Sequence, residues 1–220
     1  MTLTATHAAE HGNEDDAIHL LKLGMYVDIR NKFMQTPAHR AACNKKWKVL
    51  KMLLEHGSDI RVYDIDGNTL LHFSAQYSNT AMIEHFLSLG MNMHVKNEQH
   101  TPALRAAYYR RCDAVSLLLK HGAGHKAYDT NGKTLLHFAA EHGEEDITIK
   151  LLDMGLNVNA RDNNMQTPAL RAACNRRWEI VILLLQHKAQ ISASDRNGNT
   201  SLHFCCHVWC RKFHNLLIEF

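Results

Sequence analysis

The residues with the clearest capacity for chemistry in this 220-residue chain are its 17 histidines and six cysteines. One group combines the two types at a spacing that resembles a zinc site: His203, Cys206, His207 and Cys210. A structural zinc site closes four ligands around one ion. Four donors interleaved along a single helix do not converge on one face of it. We therefore predict no metal at this segment.

Many of the other histidines and cysteines recur at equal intervals along the chain. Four histidines stand three residues after a threonine: His39, His72, His137 and His203. Cys43 and Cys174 likewise occupy matching places, which indicates a structural role rather than catalysis. Glycine-rich phosphate loops, nucleophile elbows and metalloprotease helices are absent from the sequence. The sequence predicts a protein that is not an enzyme and that takes neither a cofactor nor a metal.

The threonines mark an internal repeat that organises nearly the whole chain. Copies start at Thr36, Thr69, Thr101, Thr134, Thr167 and Thr200, and a weaker copy starts near residue 3. Self-similarity at 32 or 33 residues is the signature of stacked helical repeats. Each threonine suits a helix N-cap, and Pro37 suits the first helical position. Aliphatic residues at helical spacing then predict a second helix, which ends at a glycine such as Gly57.

The repeated segments resemble the ankyrin repeat. Its T-P-L-H-x-A box is matched by TPAHRA at residues 36–41 and by TLLHFS at residues 69–74. The aliphatic run that closes the family motif is similar to VSLLLKHGA at residues 115–123. The resemblance implies an all-α ankyrin-repeat solenoid of helix-turn-helix units with hairpin connections, forming a single domain over residues 1–220. It also implies that the protein is a scaffold that binds another protein.

The copies alternate between two types, which gives a second period twice as long as the first. The fifth position of successive copies holds arginine in Arg40, Arg105 and Arg171, alternating with Phe73, Phe138 and Phe204. Packed helices lie about 8–10 Å apart, so these side chains should stand side by side. Two interpretations stay open. The arginines hold an acidic or extended partner, or they are used internally by the phenylalanines and by Glu10 and Glu141.

By resemblance to ankyrin proteins, positions on the first helix of each copy line a concave groove in which a partner is held. The predicted partner-binding residues of the groove are Arg40, Asn44, Phe73, Tyr77, Arg105, Tyr108, Tyr109, Phe138, Glu141, Arg171 and Asn175. The hairpin tips add Phe33, Met34 and Met165, where methionine replaces the glycine of other copies. A methionine at a tip suits an adaptable contact. A tip folded back onto its neighbour explains these residues equally well.

Two other functions are alternatives. Nucleic acid or a phosphate ligand would suit the basic pairs Lys45-Lys46, Arg110-Arg111 and Arg176-Arg177. The net charge of +3 and the interspersed acids count against nucleic acid. Assembly of copies through the C-terminal repeat would suit its apolar residues, which include Trp209 and Phe213. A longer natural chain would explain that apolar end as well.

The cell compartment is predicted from what the sequence lacks. The six cysteines do not have the dense spacing of a disulfide framework. The N-terminal residues show no signal peptide, and no apolar run approaches the roughly 20 residues that span a bilayer. We predict an intracellular, cytoplasmic protein without a membrane span, and the nucleus stays open as a location.

Overall fold

The computed structural model describes residues 5–124 and 126–204. Over these residues the chain forms twelve α-helices, a short 3-10 helix at Ser201–Phe204 and no β-strand, which confirms the all-α class. The helices are α1 (Ala5–His11), α2 (Glu14–Lys22), α3 (Pro37–Cys43), α4 (Trp47–Glu55), α5 (Leu70–Gln76), α6 (Thr80–Ser88), α7 (Pro102–Tyr108), α8 (Cys112–Lys120), α9 (Leu135–His142), α10 (Glu145–Asp153), α11 (Pro168–Cys174) and α12 (Trp178–Gln186). The start of the first copy, the cysteines of the His203–Cys210 group and the apolar C-terminal segment lie outside the described residues.

The helices form successive pairs, and the pairs belong to two compact units, Met1–Ala123 and Gly124–Phe220. In the first unit α1, α3, α5 and α7 pack one against the next, and each packs on the helix that follows it in the chain. In the second unit α9 packs on α10 and α11, and α11 packs on α12 and on the 3-10 helix. Each unit is therefore a row of helical repeats in which neighbouring pairs bury each other's apolar faces.

A threonine and a histidine fix the start of the first helix in several repeats. Thr69 caps α5, and its backbone N–H donates to Nδ1 of His72 at 3.1 Å. Because Nδ1 accepts this bond, the ring proton lies on Nε2, which donates to the carbonyl oxygen of His100 at 3.1 Å. Equivalent bonds join His39 to Asn68 and His137 to Gln166. The box histidine therefore ties α3, α5 and α9 to the loop that precedes the next repeat.

Small and aliphatic residues form the core of each unit. The alanine pair Ala41-Ala42 of α3 is fully buried, which lets neighbouring first helices approach closely. Leu50 and Leu53 of α4 and Leu118 of α8 are also buried, with at most 1% of their surface exposed. Burying each leucine contributes roughly 1.5–3 kcal/mol. The aliphatic residues that predicted a second helix are thus the residues that hold that helix in place.

An aspartate or asparagine five residues before the threonine shapes most of the connections. Oδ1 of Asp64 accepts the backbone N–H groups of Asp66 and Asn68 at 3.1 and 2.8 Å. The same pair of bonds is made by Asn31, Asp129, Asp162 and Asp195. Such Asx turns give the loop a hydrogen-bonded shape. They hold the hairpin tips in position beside the helix starts.

Candidate protein-binding surface

Two of the three first-helix arginines are paired with acids inside the protein. Arg40 forms a salt bridge with Glu10, which lies on the first helix of the preceding repeat. Arg171 does the same with Glu141, with 2.6 Å between Nη2 and Oε2. Burial alone would raise the pKa of the Glu141 carboxyl, but hydrogen bonds from Arg171 and Lys133 outweigh it and lower that pKa. Arg40 and Arg171 are therefore paired with acidic residues of the protein itself.

Arg105 occupies the equivalent position but meets amides instead of a carboxylate. Its Nε and Nη2 donate to Oε1 of Gln76 at 2.8 and 2.6 Å, and its Nη1 donates to Oδ1 of Asn68 at 2.6 Å. The guanidinium carbon lies 5.5 Å from the centroid of the Phe73 ring. Among the described residues, no carboxylate forms a salt bridge with Arg105. These bonds hold the positive charge of Arg105 in place without neutralising it. They use three of its five N–H groups, which leaves two to donate to another acceptor.

A polar depression of about 310 Å³ opens beside Arg105 in the first unit. Tyr108 and Tyr109 line it, with 52% and 39% of their surface exposed. Their rings meet edge to face at 5.1 Å, and Tyr108 also lies against the ring of His100 at 5.2 Å. Asp66 and Glu98 bring negative charge to the same depression. We call Arg105, Tyr108 and Tyr109 the Arg105 cluster.

Other predicted groove residues have structural surroundings. The rings of Phe73 and Phe138 are buried, with 4% and 2% of their surface exposed, so they offer almost no area to a partner. The amides of Asn44 and Asn175 each donate to a carbonyl of their own helix at 2.8 Å. Tyr77 is half-buried and lies edge to face with Trp47 at 6.3 Å.

The hairpin tips of the first unit present apolar side chains to solvent. Phe33 and Met34 have 48% and 43% of their surface exposed. The backbone N–H of Ile65 donates to the carbonyl of Phe33 at 3.0 Å, so successive tips are joined edge to edge. Tyr63 and Ile65, at 58% and 61% exposure, extend the apolar tip, and the sequence analysis missed both. The available signal was an aromatic and an aliphatic residue flanking Asp64 in an otherwise polar loop.

Met34 and Met165 share an unusual backbone conformation. Their φ angles are +59° and +61°, in the left-handed region where the equivalent Gly67 has +78°. An L-residue in this region costs roughly 1–2 kcal/mol compared with the right-handed one. Met165 lies in the second unit and has 41% of its surface exposed, which matches the exposure of Met34. Both tips therefore hold an exposed methionine where glycine would fit without strain.

The capped helix pairs and their Asx turns define a helical repeat protein, the class whose stacked first helices present binding surfaces. The family model described as ankyrin repeats in three copies matches residues 5–97, 79–162 and 148–219. The chain belongs to the ankyrin-repeat family, whose members generally mediate protein–protein interaction. The ankyrin fold is typically an interaction module rather than an enzyme.

The relatives and solved structures agree with this assignment. An ankyrin repeat protein of Acanthamoeba polyphaga mimivirus is 27% identical over 194 residues, which is 84% of this chain and 25% of that protein. The B-cell lymphoma 3 protein homolog of Mus musculus is 30% identical over 169 residues, 72% of this chain and 38% of that protein. The chain thus spans well under half the length of either relative. The crystal structure of the human ASB11 ankyrin repeat domain matches with a TM-score of 0.84 at 20% identity, covering 100% of this chain and 98% of that domain, which shows the fold.

The described residues also include no helix that is both long and apolar enough to cross a bilayer.

Proposed function

We propose that this chain is a non-enzymatic scaffold that binds a protein partner at the Arg105 cluster. The observation that carries the proposal is the arginine whose charge is fixed by Gln76 and Asn68 but not neutralised. Arginine and tyrosine are the residue types that dominate binding energy at protein interfaces. Here the two types lie together at a depression, with two tyrosines exposed.

The chemistry of the cluster favours an extended segment that carries a carboxylate. A planar guanidinium binds a carboxylate through paired hydrogen bonds, and a guanidinium already held in place loses little entropy when it does so. Tyr108 and Tyr109 would pack against apolar parts of the same segment. Asp66 and Glu98 would disfavour a uniformly acidic partner, because like charges across an interface are costly. The partner is therefore expected to place one acid at Arg105 rather than a run of acids along the groove.

Exposed residues at the hairpin tips supply the second part of the proposed surface. In the first unit, Phe33 and Met34 carry over from the sequence prediction, and Tyr63 and Ile65 join them. Met165 carries over as a separate candidate contact of the second unit. Methionine and aromatic residues are enriched at the buried centre of interfaces. The strain at Met34 supports a functional reason for the residue, since glycine would fit the same turn at no steric cost.

The basic pairs support the nucleic-acid alternative less well. The Arg111 side chain donates through Nε to the carbonyl of Gln76 at 2.9 Å. The Lys45 ammonium lies 4.7 Å from the centroid of the Tyr77 ring. Both side chains are therefore engaged within the first unit. The assembly alternative depends on the C-terminal residues beyond the described part of the chain.

The remaining sequence predictions enter the proposal unchanged. We interpret residues 1–220 as one ankyrin-repeat domain with copies starting near 3, 36, 69, 101, 134, 167 and 200. Burial raises the pKa of the Cys43 and Cys174 thiols, which suits structural cysteines better than nucleophiles. Cysteines outside disulfides support an intracellular, cytoplasmic location.

The test uses Gln76→Glu, because the repeats before Arg40 and Arg171 hold glutamate at this position. The variant should pair Arg105 as Glu10 pairs Arg40, so the fold persists while the binding charge is neutralised. Partners are captured from native-cell extract, and the affinity of an identified partner is then measured by calorimetry. We expect at least about tenfold weaker binding by Gln76→Glu and by Tyr108→Ala.

Two control variants make this result specific. Tyr128→Ala removes an equally exposed tyrosine from the second unit and should leave the affinity within about twofold. Arg105→Lys keeps the charge and loses the planar fork, so it should weaken binding if the carboxylate is held by paired bonds. Full affinity in a folded Gln76→Glu variant would refute the role of Arg105. Binding that falls steeply with salt would instead favour nucleic acid or a phosphate ligand.

A further inference from the structure

The first helix of the chain carries a cluster that the repeat pattern does not explain. His7, Glu10 and His11 lie on α1 at spacings of three and four residues, which places them on one helical face. One donor atom from each residue lies within 4.8 Å of the donor atoms of the other two. The two imidazole rings meet edge to face with 4.4 Å between centroids. No other group of three or more possible metal ligands is found within residues 5–124 and 126–204.

Two imidazoles and one carboxylate are a ligand set that zinc uses when it keeps a fourth position open. Zinc bonds of about 2.0–2.2 Å place tetrahedral ligand atoms about 3.4 Å apart, and the three donors already lie within 4.8 Å of one another. The exposed His11 side chain has room to turn toward the other two ligands. Water would then complete the coordination.

Arg40 orients the carboxylate of the proposed site. Its guanidinium binds Oε1 of Glu10, which leaves the other carboxylate oxygen for a metal. Carboxylate ligands in metal sites are usually oriented by such hydrogen bonds. The salt bridge fixes Glu10 on the side of α1 that faces α3, so the helix packing already positions one ligand.

A later repeat provides a natural comparison on the same scaffold. Its residues Phe138, Glu141 and His142 match His7, Glu10 and His11 in order and spacing. The glutamate–arginine pair is present there as well, between Glu141 and Arg171. The difference is the first ligand, because phenylalanine replaces histidine. The later repeat therefore lacks one of the three candidate ligands, and among these three positions it differs from the first repeat only at that one.

We propose that His7, Glu10 and His11 bind zinc on the first helix of the first repeat. The ion would link two successive turns of α1. A seven-residue helix is too short to be stable alone, so such a link would favour the folded form of the first repeat. Zinc bound only by the folded chain raises its stability by mass action.

The test measures zinc chloride binding to the full chain by calorimetry after chelator treatment. His7→Phe copies the residue of the later repeat, and His11→Gln changes an exposed side chain that the fold does not need. Wild type should bind one more zinc per chain than either variant, or bind it at least about tenfold more tightly. His142→Gln is the matched control and should bind zinc as wild type does. Zinc should also raise the melting temperature of wild type and not that of His7→Phe.

Three results would overturn the assignment. The first is the absence of zinc binding by wild type at micromolar concentrations. The second is unchanged stoichiometry and affinity in a folded His11→Gln variant, which would place zinc at other histidines or cysteines. The third is full affinity in Glu10→Gln, which would remove the carboxylate from the ligand set. Circular dichroism of each variant without zinc establishes that the helices are retained.

Discussion

Lowering the pH should destabilise the protein through its buried box histidines, and His72 allows the effect to be calculated. The ring is fully buried, Nδ1 accepts the N–H of Thr69, and Nε2 donates to the carbonyl of His100. Burial lowers the pKa of His72 from 6.5 to about 4, and the positive charge of Arg105 adds to the effect. Protonating Nδ1 would also break the bond from Thr69, because the nitrogen could no longer accept it.

The direction of the pH effect follows from the pKa of His72, which is 6.5 in the unfolded chain and about 4 in the folded chain. Below pH 6.5 the unfolded chain protonates His72 while the folded chain keeps it neutral, so the unfolded state binds more protons. The contribution of His72 is fully present above pH 6.5 and is lost as the pH falls toward 4. Each unit of difference corresponds to about 1.36 kcal/mol, so about 2 kcal/mol is lost by pH 5.

The measurement compares wild type with His72→Leu by urea unfolding at pH 7.5 and pH 5. Leucine is the matched replacement, because Leu104 and Leu170 occupy the same slot in other repeats and are fully buried there. Between the two pH values, the free energy of unfolding should fall about 2 kcal/mol further for wild type than for the variant. His39 and His137, whose pKa values burial also lowers, are present in both proteins and cancel. Equal losses in the two proteins would refute the calculation.

Four further substitutions test the packing and the turns by chemical denaturation. Leu118→Ala removes a fully buried side chain from α8 and should cost about 2–5 kcal/mol, so an unchanged unfolding midpoint would contradict its burial. Gly132 and Gly155 both have a φ of +76°, but only at Gly132 would a new Cβ lie 3.1 Å from the backbone nitrogen of Asn163. Gly132→Ala should therefore lower the free energy of unfolding more than Gly155→Ala does. Met34→Gly should leave the free energy of unfolding unchanged or raise it by up to about 1 kcal/mol, because the relief of left-handed strain exceeds the entropy that glycine adds to the unfolded chain. A clear loss of stability would show that the Met34 side chain packs against its own protein.

The architecture was predictable because its determinants are local. Threonine before the first helix, proline at Pro37 and glycine after the second helix are signals that act within one or two turns. Repetition then multiplies a weak local signal until it identifies the family. The Asx turns were equally local, with Asp64 five residues before Thr69, and the sequence analysis passed over them.

The binding surface was less predictable, because residues about 30 positions apart decide it. The sequence placed Phe73 beside the arginines but did not show that its ring is buried and lies against the guanidinium of Arg105. Exposure of the equivalent first-helix positions depends on what the neighbouring repeat covers. His7 on α1 is partly exposed, whereas Phe138 at the matching position is buried. The possible metal ligands of α1 were missed for the same reason.

A single atom separates a structural arginine from a candidate binding arginine in this chain. Each first-helix arginine contacts the same position of the preceding repeat, which holds Glu10, Gln76 or Glu141. Glutamate and glutamine fill nearly the same space, and each side chain accepts a hydrogen bond from Nη2 of the arginine. Only the carboxylate of glutamate also neutralises the positive charge of the arginine. Because the repeats share one backbone, a change from oxygen to nitrogen at this position can turn a groove arginine into a site for an outside carboxylate without altering the fold.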